Sequence, residues 1–288
     1  MTFNYLDMKV VKKREEIKRE INELKAKGLS VGFVPTMGAL HQGHLSLVRR
    51  AGKENDRVVV SIFVNPTQFN NAEDLEKYPR DLATDLNLLS DEGCDLVFAP
   101  EVEEMYPDGE EKAAYDFGLL TGVMEGANRP GHFDGVATVV EKLFEAIPAD
   151  RAYFGKKDYQ QLLVIRSLVK QRNIDIEIVG CEIVREADGL AMSSRNRRLT
   201  AAQRARAPFI YSTLQKAASL AGQLSPVELK ELVAKEINSV EEMELEYFEP
   251  ADADTLQPVE TFEKNKNVMG FIVVNLGSVR LIDNIRIF

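Results

Sequence analysis

Residues 31–51, VGFVPTMGALHQGHLSLVRRA, decide the fold of this chain. They begin with a short apolar run, Val31 to Val34, which Pro35 stops, and they lead through a loop into a helical pattern from His44 to Ala51. A strand that passes through a tight loop into a helix opens a βα unit. The next run, Val58 to Val64, is nearly continuous in β-branched and apolar residues, as in a strand buried on both faces.

The alternation of strands and helices continues well past the middle of the chain. A helix is predicted over residues 10–27, with Gly28 at the position of a C-terminal cap. Further helices are predicted over Leu82–Leu89, Thr138–Ile147 and Gln160–Arg172, and further strands over Leu96–Phe98, Ala152–Phe154 and Ile174–Val184. This alternation predicts an α/β domain with a doubly wound parallel sheet. Such sheets bind ligands at the carboxyl ends of their strands, so loops 35–44, 65–80 and 155–161 are expected to open onto one crevice.

The pattern changes near residue 184, which divides the chain into a first domain, residues 1–183, and a smaller α+β domain, residues 184–288. In the second domain, helices are predicted over residues 201–222 and 226–240, and strands over Glu244–Phe248, Val268–Asn275 and Val279–Ile285. Gly277 and Ser278, between the last two strands, predict a β-hairpin.

Charge and cysteine content limit the functional classes. The chain has 288 residues and a formal net charge of −10, which argues against a broad nucleic-acid surface but allows a locally basic cleft for a small anion. No stretch approaches the roughly 20 apolar residues of a membrane span, and Met1 to Lys27 has no apolar signal core, so a cytoplasmic protein without membrane contact is expected. Cys94 and Cys181 lie in apolar runs and are expected in the core rather than in a metal site or a disulfide.

The loop between the first predicted strand and its helix is the strongest functional signal. It contains His41, Gly43 and His44, and these two histidines are among only three in the chain. Backbone N–H groups at a helix start are unsatisfied and carry partial positive charge, so they form a ready anion site. Two imidazoles three residues apart are suited to phosphate in phosphoryl or nucleotidyl transfer. The alternative is a tight turn with two incidental histidines.

Residues 155–161, GKKDYQQ, follow a predicted strand and offer a second candidate group. Lys157 could neutralise a phosphate, Asp158 could accept hydrogen bonds from ribose hydroxyls, and Gln161 could bind a polar substrate. The alternative is a solvated turn in which Lys157 and Asp158 form a weak surface pair.

A third candidate group lies within MSSRN, residues 192–196, shortly after the turn signal at Asp188. Ser193, Ser194 and Arg195 together resemble a phosphate clamp, since a guanidinium makes forked contacts to phosphate oxygens. The alternative is helix capping, because serine and asparagine favour helix starts.

Weaker signals come from two loops and one acidic pair. Asn65 and Gln68 carry neutral amides that suit a hydroxy acid, although Asn-Pro is also ordinary turn chemistry. Residues 128–133, NRPGHF, hold the third histidine in what is either a lid or a turn, and the roles of Arg129 and His132 stay open. Asp81 and Asp85 are four residues apart on a predicted helix and could share one Mg²⁺, although such pairs usually mark a solvated helix face.

The segments together resemble the pantothenate synthetase (pantoate–β-alanine ligase) family from about Val31 to Asn196. The motifs that carry the resemblance are PTMGALHQGH at 35–44, SIFVNPTQF at 61–69, YFGKKDYQQL at 153–162 and READGLAMSSRN at 185–196. The resemblance implies a Rossmann-like domain followed by a smaller domain that closes over ATP. It also implies a homodimer, a requirement for Mg²⁺, and condensation of pantoate with β-alanine through a pantoyl-adenylate.

The same resemblance implies roles for individual residues. It places His41, His44, Lys157, Ser193, Ser194 and Arg195 at the ATP phosphates, Gly155, Asp158 and Val184 at the rest of the nucleotide, and Met37, Gln68 and Gln161 at pantoate. One departure is Lys156, where many family members have glutamate.

Two other functions share part of this pattern. A nucleotidylyltransferase would use the same strand, histidine loop and helix but would attach the nucleotide to a phosphorylated acceptor and keep it in the product. A catalytically inactive nucleotide sensor would keep the nucleotide contacts without an acceptor pocket. The neutral pair Gln68 and Gln161 favours a small hydroxy acid as the acceptor.

Overall fold

The computed structural model describes residues 8–69, 75–76, 78–109, 113–262 and 267–288. The N-terminal segment 1–7 and part of loop 65–80, on which predictions were made above, lie outside these residues. The chain forms two compact units. Unit 1 comprises the described parts of Met1–Phe117, Arg129–Lys156 and Val164–Glu182, and unit 2 comprises those of Gly118–Asn128, Lys157–Leu163 and Ile183–Phe288. The two-domain division at residue 184 is simpler than these units and stays a prediction.

Nine strands, ten α-helices and four short 3-10 helices have both ends within the described residues. The strands are β1 (Lys9–Val11), β2 (Val31–Thr36), β3 (Arg57–Ile62), β4 (Leu96–Phe98), β5 (Arg151–Gly155), β6 (Glu177–Cys181), β7 (Met243–Asp252), β8 (Val268–Leu276) and β9 (Val279–Arg286). The helices are α1 (Arg14–Ala26), α2 (Gln42–Glu54), α3 (Leu82–Asp91), α4 (Val102–Met105), α5 (Met124–Asn128), α6 (His132–Ala146), α7 (Tyr159–Arg172), α8 (Ala201–Arg206), α9 (Phe209–Leu220) and α10 (Pro226–Asn238).

Unit 1 is built on a six-stranded parallel sheet with the order β1-β4-β3-β2-β5-β6. This arrangement confirms the predicted Rossmann-like α/β fold. The strand order reverses between β2 and β5, because β3 and β4 extend from one side of β2 while β5 and β6 extend from the other. In doubly wound sheets, this reversal point lies next to the ligand-binding crevice at the carboxyl ends of the strands.

The prediction that Pro35 stops the first strand is wrong, because β2 continues to Thr36. Pro35 lies opposite Ser61 in the ladder with β3, whereas the ladder with β5 involves only Gly32 and Phe33. Proline is tolerated in a strand where it does not have to donate a ladder hydrogen bond.

Other boundaries also differ from the prediction. The helix predicted over residues 10–27 begins only at Arg14, because Lys9–Val11 forms a short strand that pairs with β4. Ile17 and Ile21, four residues apart on one face of this helix, are buried. The helix predicted over residues 201–222 is two helices, α8 and α9, which are separated at Pro208, because proline removes a helix hydrogen bond.

Unit 2 contains the antiparallel sheet β7-β8-β9, with a core against helices α9 and α10. Leu276 pairs with Val279 across the turn at Gly277 and Ser278, which confirms the predicted hairpin. Ser225 caps α10 in a capping box with Glu228. The predicted smaller α+β part of the fold is therefore confirmed.

Both cysteines are buried free thiols, as predicted from their apolar surroundings. Burial raises the pKa of Cys94 to about 12 and also raises the pKa of Cys181, so neither is suited to thiolate chemistry. Among the described residues, no helix is both long and apolar enough to cross a membrane.

A close approach at Gly135 yields a prediction about the fold. A Cβ atom on this residue of α6 would lie 2.5 Å from the carbonyl oxygen of Thr67, so Gly135→Ala should destabilise the protein by about 1–3 kcal/mol through overpacking. The matched control is Gly52→Ala in α2, where the nearest atom would be at an ordinary 3.6 Å. This control should be neutral or stabilising by up to about 1 kcal/mol. Chemical denaturation measures both, and equal stability of the two variants would contradict the prediction.

Candidate active site

In unit 1, the loop from Met37 to His41 connects β2 to α2 and is fixed by hydrogen bonds to its backbone. Thr36 donates from Oγ1 to the carbonyl of Ser61 at 2.8 Å and accepts from the Gly38 N–H at 3.1 Å. Gly38 has φ +78° and Ala39 has φ +50°, so two consecutive residues adopt the left-handed conformation that glycine favours. The loop therefore makes a turn that requires support from outside its own sequence.

Asp85 supplies this support from α3. One carboxylate oxygen accepts from the Ala39 N–H at 2.9 Å, and the other accepts from the Leu40 N–H at 2.8 Å. The side chain is buried, with 2% of its residue surface exposed. Asp81 instead caps α3 by accepting from the Thr84 N–H at 3.1 Å. Asp81 therefore holds its own helix start while Asp85 holds the loop after β2, and this arrangement gives no support to a Mg²⁺ shared by the two aspartates.

His41 and His44 stand together at the start of α2, with their ring centroids 4.1 Å apart. His41 is the N-cap residue, and its Nδ1 accepts from the Gly43 N–H at 3.1 Å. An Nδ1 that accepts carries no proton, so the neutral ring has its N–H at Nε2. His41 thus caps the helix through Nδ1 and carries a hydrogen-bond donor on Nε2.

Gln68 and Met37 also come together in unit 1. The amide of Gln68 donates from Nε2 to Met37 Sδ at 2.9 Å. Gln68 lies in a 3-10 turn, Pro66–Gln68, and its Oε1 accepts from the Asn65 amide at 3.2 Å. Asn65 is buried and also accepts from the Tyr106 hydroxyl at 2.7 Å. Asn65 is therefore fixed in place, and its amide in turn positions the Gln68 side chain.

The third histidine holds the same turn from outside. His132 Nδ1 lies 2.9 Å from the carbonyl oxygen of Gln68, and Arg129 lies 3.1 Å from His132 Nε2. A carbonyl oxygen only accepts and a guanidinium only donates, so Nδ1 carries the proton and Nε2 accepts. His132 is buried in the first turn of α6, which favours a supporting role for this loop in unit 1 over a mobile lid.

At the carboxyl end of β5, Gly155 is suited to the approach of a ligand. Among the described residues, no atom lies within 4 Å of a Cβ built on Gly155, so protein packing gives no reason for glycine there. Lys156 forms an ion pair with Glu182 at the surface.

The candidate residues of unit 2 begin with Lys157 and Asp158, the last two residues of a 3-10 turn, and continue into the first turn of α7. Lys157 Nζ lies 3.8 Å from the Asp158 carboxylate, which is a loose ion pair. The two adjacent glutamines differ: Gln160 is buried and donates to the carbonyls of Leu120 and Val123, whereas Gln161 is only half-buried. Gln160 is therefore structural, and Gln161 is the one of the two suited to a ligand.

The last group is a hairpin that leads into the serine-arginine segment. Val184 accepts at its carbonyl from the Met192 N–H at 3.0 Å. Ser193 then caps a 3-10 helix, Ser194–Arg198, by accepting from the Arg195 N–H at 3.3 Å. Capping is therefore confirmed for Ser193, and it orients the start of a segment rich in arginine.

Within the described residues, no group of three or more His, Cys, Asp or Glu side chains is placed to hold a metal ion. Asp81 and Asp85 accept hydrogen bonds from separate protein groups, so the described residues do not fit a Mg²⁺ site built by protein side chains alone.

Comparison with known proteins identifies the family. The family model described as pantoate-beta-alanine ligase matches residues 9–286. Pantothenate synthetases from Bacteroides thetaiotaomicron and Christiangramia forsetii are 51% and 49% identical to the chain, each covering 97% of it and 99% of the relative.

Solved structures agree with this match. The crystal structure of pantothenate synthetase from Thermus thermophilus superimposes with a TM-score of 0.90 at 44% identity, covering 98% of this chain and 100% of the other. The pantoate-beta-alanine ligase from Francisella tularensis, complexed with beta-gamma ATP and beta-alanine, gives a TM-score of 0.82 at 37% identity, covering 97% of each chain. This chain belongs to the pantoate–β-alanine ligase family.

Proposed function

We propose that this protein condenses pantoate with β-alanine at the expense of ATP, giving pantothenate, AMP and pyrophosphate through a pantoyl-adenylate. The observation that carries the proposal is the loop from Met37 to His44 in unit 1. Its backbone is fixed by Asp85, its two histidine rings lie 4.1 Å apart in a tilted arrangement at a helix start, and Met37 contacts the amide of Gln68. Family membership over nearly the whole chain supports the same reaction.

In the first step, the pantoate carboxylate attacks the α-phosphorus of ATP and pyrophosphate leaves. Negative charge grows on the leaving phosphates, and preorganised donors lower the barrier by meeting that charge. We assign this role to the following residues: His41, His44, Lys157, Ser193, Ser194 and Arg195. The Nε2–H of His41 supports the assignment, because its Nδ1 is engaged by Gly43.

In the second step, the β-alanine amine attacks the acyl carbon of the adenylate and AMP leaves. The substrates supply both reacting groups, so no enzyme nucleophile is needed and positioning provides much of the rate. We assign pantoate binding to Met37, Gln68 and Gln161, and the remaining nucleotide contacts to Gly155, Asp158 and Val184. Neutral amides suit the hydroxyl groups of pantoate, and the open space beside Gly155 suits a nucleotide.

Mg²⁺ enters the proposal as a companion of ATP. It usually retains waters and binds substrate phosphates together with one or two carboxylates. Because the described residues form no cluster for it, we assign it no side chain and no separate step. A homodimer is proposed from the family resemblance. A cytoplasmic location is proposed because both cysteines are free thiols, as is usual in reducing compartments.

AMP release tests the function. Purified protein is incubated with ATP and pantoate, with and without β-alanine, and AMP and pantothenate are quantified. AMP that requires both substrates and matches pantothenate in amount is the expected result. Transfer of the nucleotide to a phosphorylated acceptor would instead establish a nucleotidylyltransferase. ATP binding without any turnover would establish a nucleotide sensor.

His44→Ala and Lys157→Ala should each lower pantoyl-adenylate formation by about 10²-fold, the scale of losing a donor to the transition state. Pantoate-dependent exchange of pyrophosphate into ATP measures this step. Lys53→Ala on the same helix as His44 and Lys156→Ala beside Lys157 are the matched controls and should keep near-normal rates. Near-normal exchange in either test variant would remove its residue from the mechanism.

Asp85→Asn should slow adenylate formation by about tenfold or more, because an amide nitrogen would face a backbone N–H and displace the loop that carries the histidines. Asp150→Asn is the control, since Asp150 also accepts from a backbone N–H, that of Val31 at 2.7 Å, at the other end of β2. The two variants are compared at matched thermal stability. If both lose activity equally, stability rather than loop position explains the loss.

A further inference from the structure

Strand β9 contains two adjacent polar residues in an otherwise apolar sequence, LIDNI at 281–285. Asp283 and Asn284 are buried, with 6% and 3% of their surface exposed. Buried polar groups are costly unless they are hydrogen-bonded, so their partners reveal what they hold. Both residues and all the partners discussed below belong to unit 2.

Asp283 binds the hairpin that follows Val184. The Arg185 guanidinium donates to its two carboxylate oxygens at 2.6 and 3.0 Å, and it also donates to the carbonyl of Gly189 at 3.1 Å. The guanidinium lies over the Tyr211 ring, 3.6 Å from its centroid. Burial raises the pKa of Asp283, whereas Arg185 opposes this shift. The fork thus fixes Arg185, and with it the hairpin that leads to Ser193.

Asn284 binds the other candidate phosphate segment. Its side-chain amide donates from Nδ2 to the carbonyl oxygen of Lys157 at 2.9 Å. The Lys157 ammonium is 3.8 Å from Asp158, too far for a hydrogen bond, so this ion pair alone does not fix the lysine. A fixed carbonyl sets the position of the Lys157 backbone and therefore the direction in which its side chain leaves.

We infer that Asp283 and Asn284 are positioning residues that hold Lys157 and the 184–195 segment in one arrangement for binding ATP phosphates. This inference rests on the proposed function, because it assumes that Lys157 and the serine-arginine segment contact ATP. Two adjacent residues of one strand anchor both segments, so a displacement at β9 changes their relative position. Charged ligands are sensitive to such displacements, since a shift of about 1 Å can cost 10²-fold in rate.

Asn284→Leu tests the inference because it keeps a similar shape but removes the donor to Lys157. The matched control is Asn238→Leu in α10, which removes a side-chain hydrogen bond to the Leu245 N–H in the same unit. Asn284→Ser and Arg185→Lys are additional variants that stay informative if Asn284→Leu does not fold. Three quantities are measured: the KM for each substrate, the Kd of β,γ-methylene ATP by calorimetry, and the thermal midpoint.

We expect Asn284→Leu and Arg185→Lys to raise the KM for ATP and the Kd of the analogue about tenfold, with the KM for pantoate and β-alanine changed less than about threefold. Asn238→Leu should leave all these constants unchanged, even where its thermal midpoint falls as far. Unchanged analogue affinity in the Asn284 and Arg185 variants, or equal losses for all three substrates, would overturn the inference. Failure of the proposed function is distinct, because then the wild-type protein itself would form no pantothenate.

Discussion

The position of β2 in the parallel sheet is the constraint on which unit 1 depends. It pairs with β3 over its full length and with β5 over two residues, and the sheet continues to β4 on one side of β2 and to β6 on the other. The loop after β2 therefore emerges at the reversal point, where no further strand satisfies its backbone. Asp85 and Thr36 accept hydrogen bonds from the backbone N–H groups of this loop. These two side chains thereby hold the turn that precedes the two histidines.

Much of this fold could be predicted from the sequence, because burial imposes periodicity. The β-branched run around Val60 and the paired runs that flank Gly277 each indicate one structure. The strand Lys9–Val11 could not be recognised, since it is three residues long and only Val11 is buried. Its existence depends on pairing with β4, a tertiary contact that local sequence does not encode. The break at Pro208 was visible in the sequence but was outweighed by the apolar spacing on either side.

The candidate site also contains residues that could be predicted from the sequence and residues that could not. The groups proposed to bind ligands were identified from the sequence because histidine pairs, lysine after a strand and serine-arginine segments carry recognisable chemistry. The residues that hold them were not found, because a buried aspartate or asparagine is defined by its partner in space. Asp85 shows the difficulty: its spacing from Asp81 suggested a metal, whereas its carboxylate meets two N–H groups from a loop over 40 residues earlier. Asp283 and Asn284 are an exception, because two adjacent polar residues in an apolar strand are a sequence pattern from which a supporting role could have been predicted.

These buried carboxylates also explain how an acidic chain can have sites suited to an anion. The net charge of −10 describes the whole surface, but the field at a site depends on which charges are already compensated nearby. In unit 1, Asp85 directs its charge at two backbone N–H groups. In unit 2, Asp283 directs its charge at the Arg185 guanidinium. Each carboxylate lies beside a segment proposed to bind phosphate, yet its charge is met by donors within the protein. Helix-start N–H groups, lysine and arginine can then dominate the local potential despite the overall excess of acidic residues.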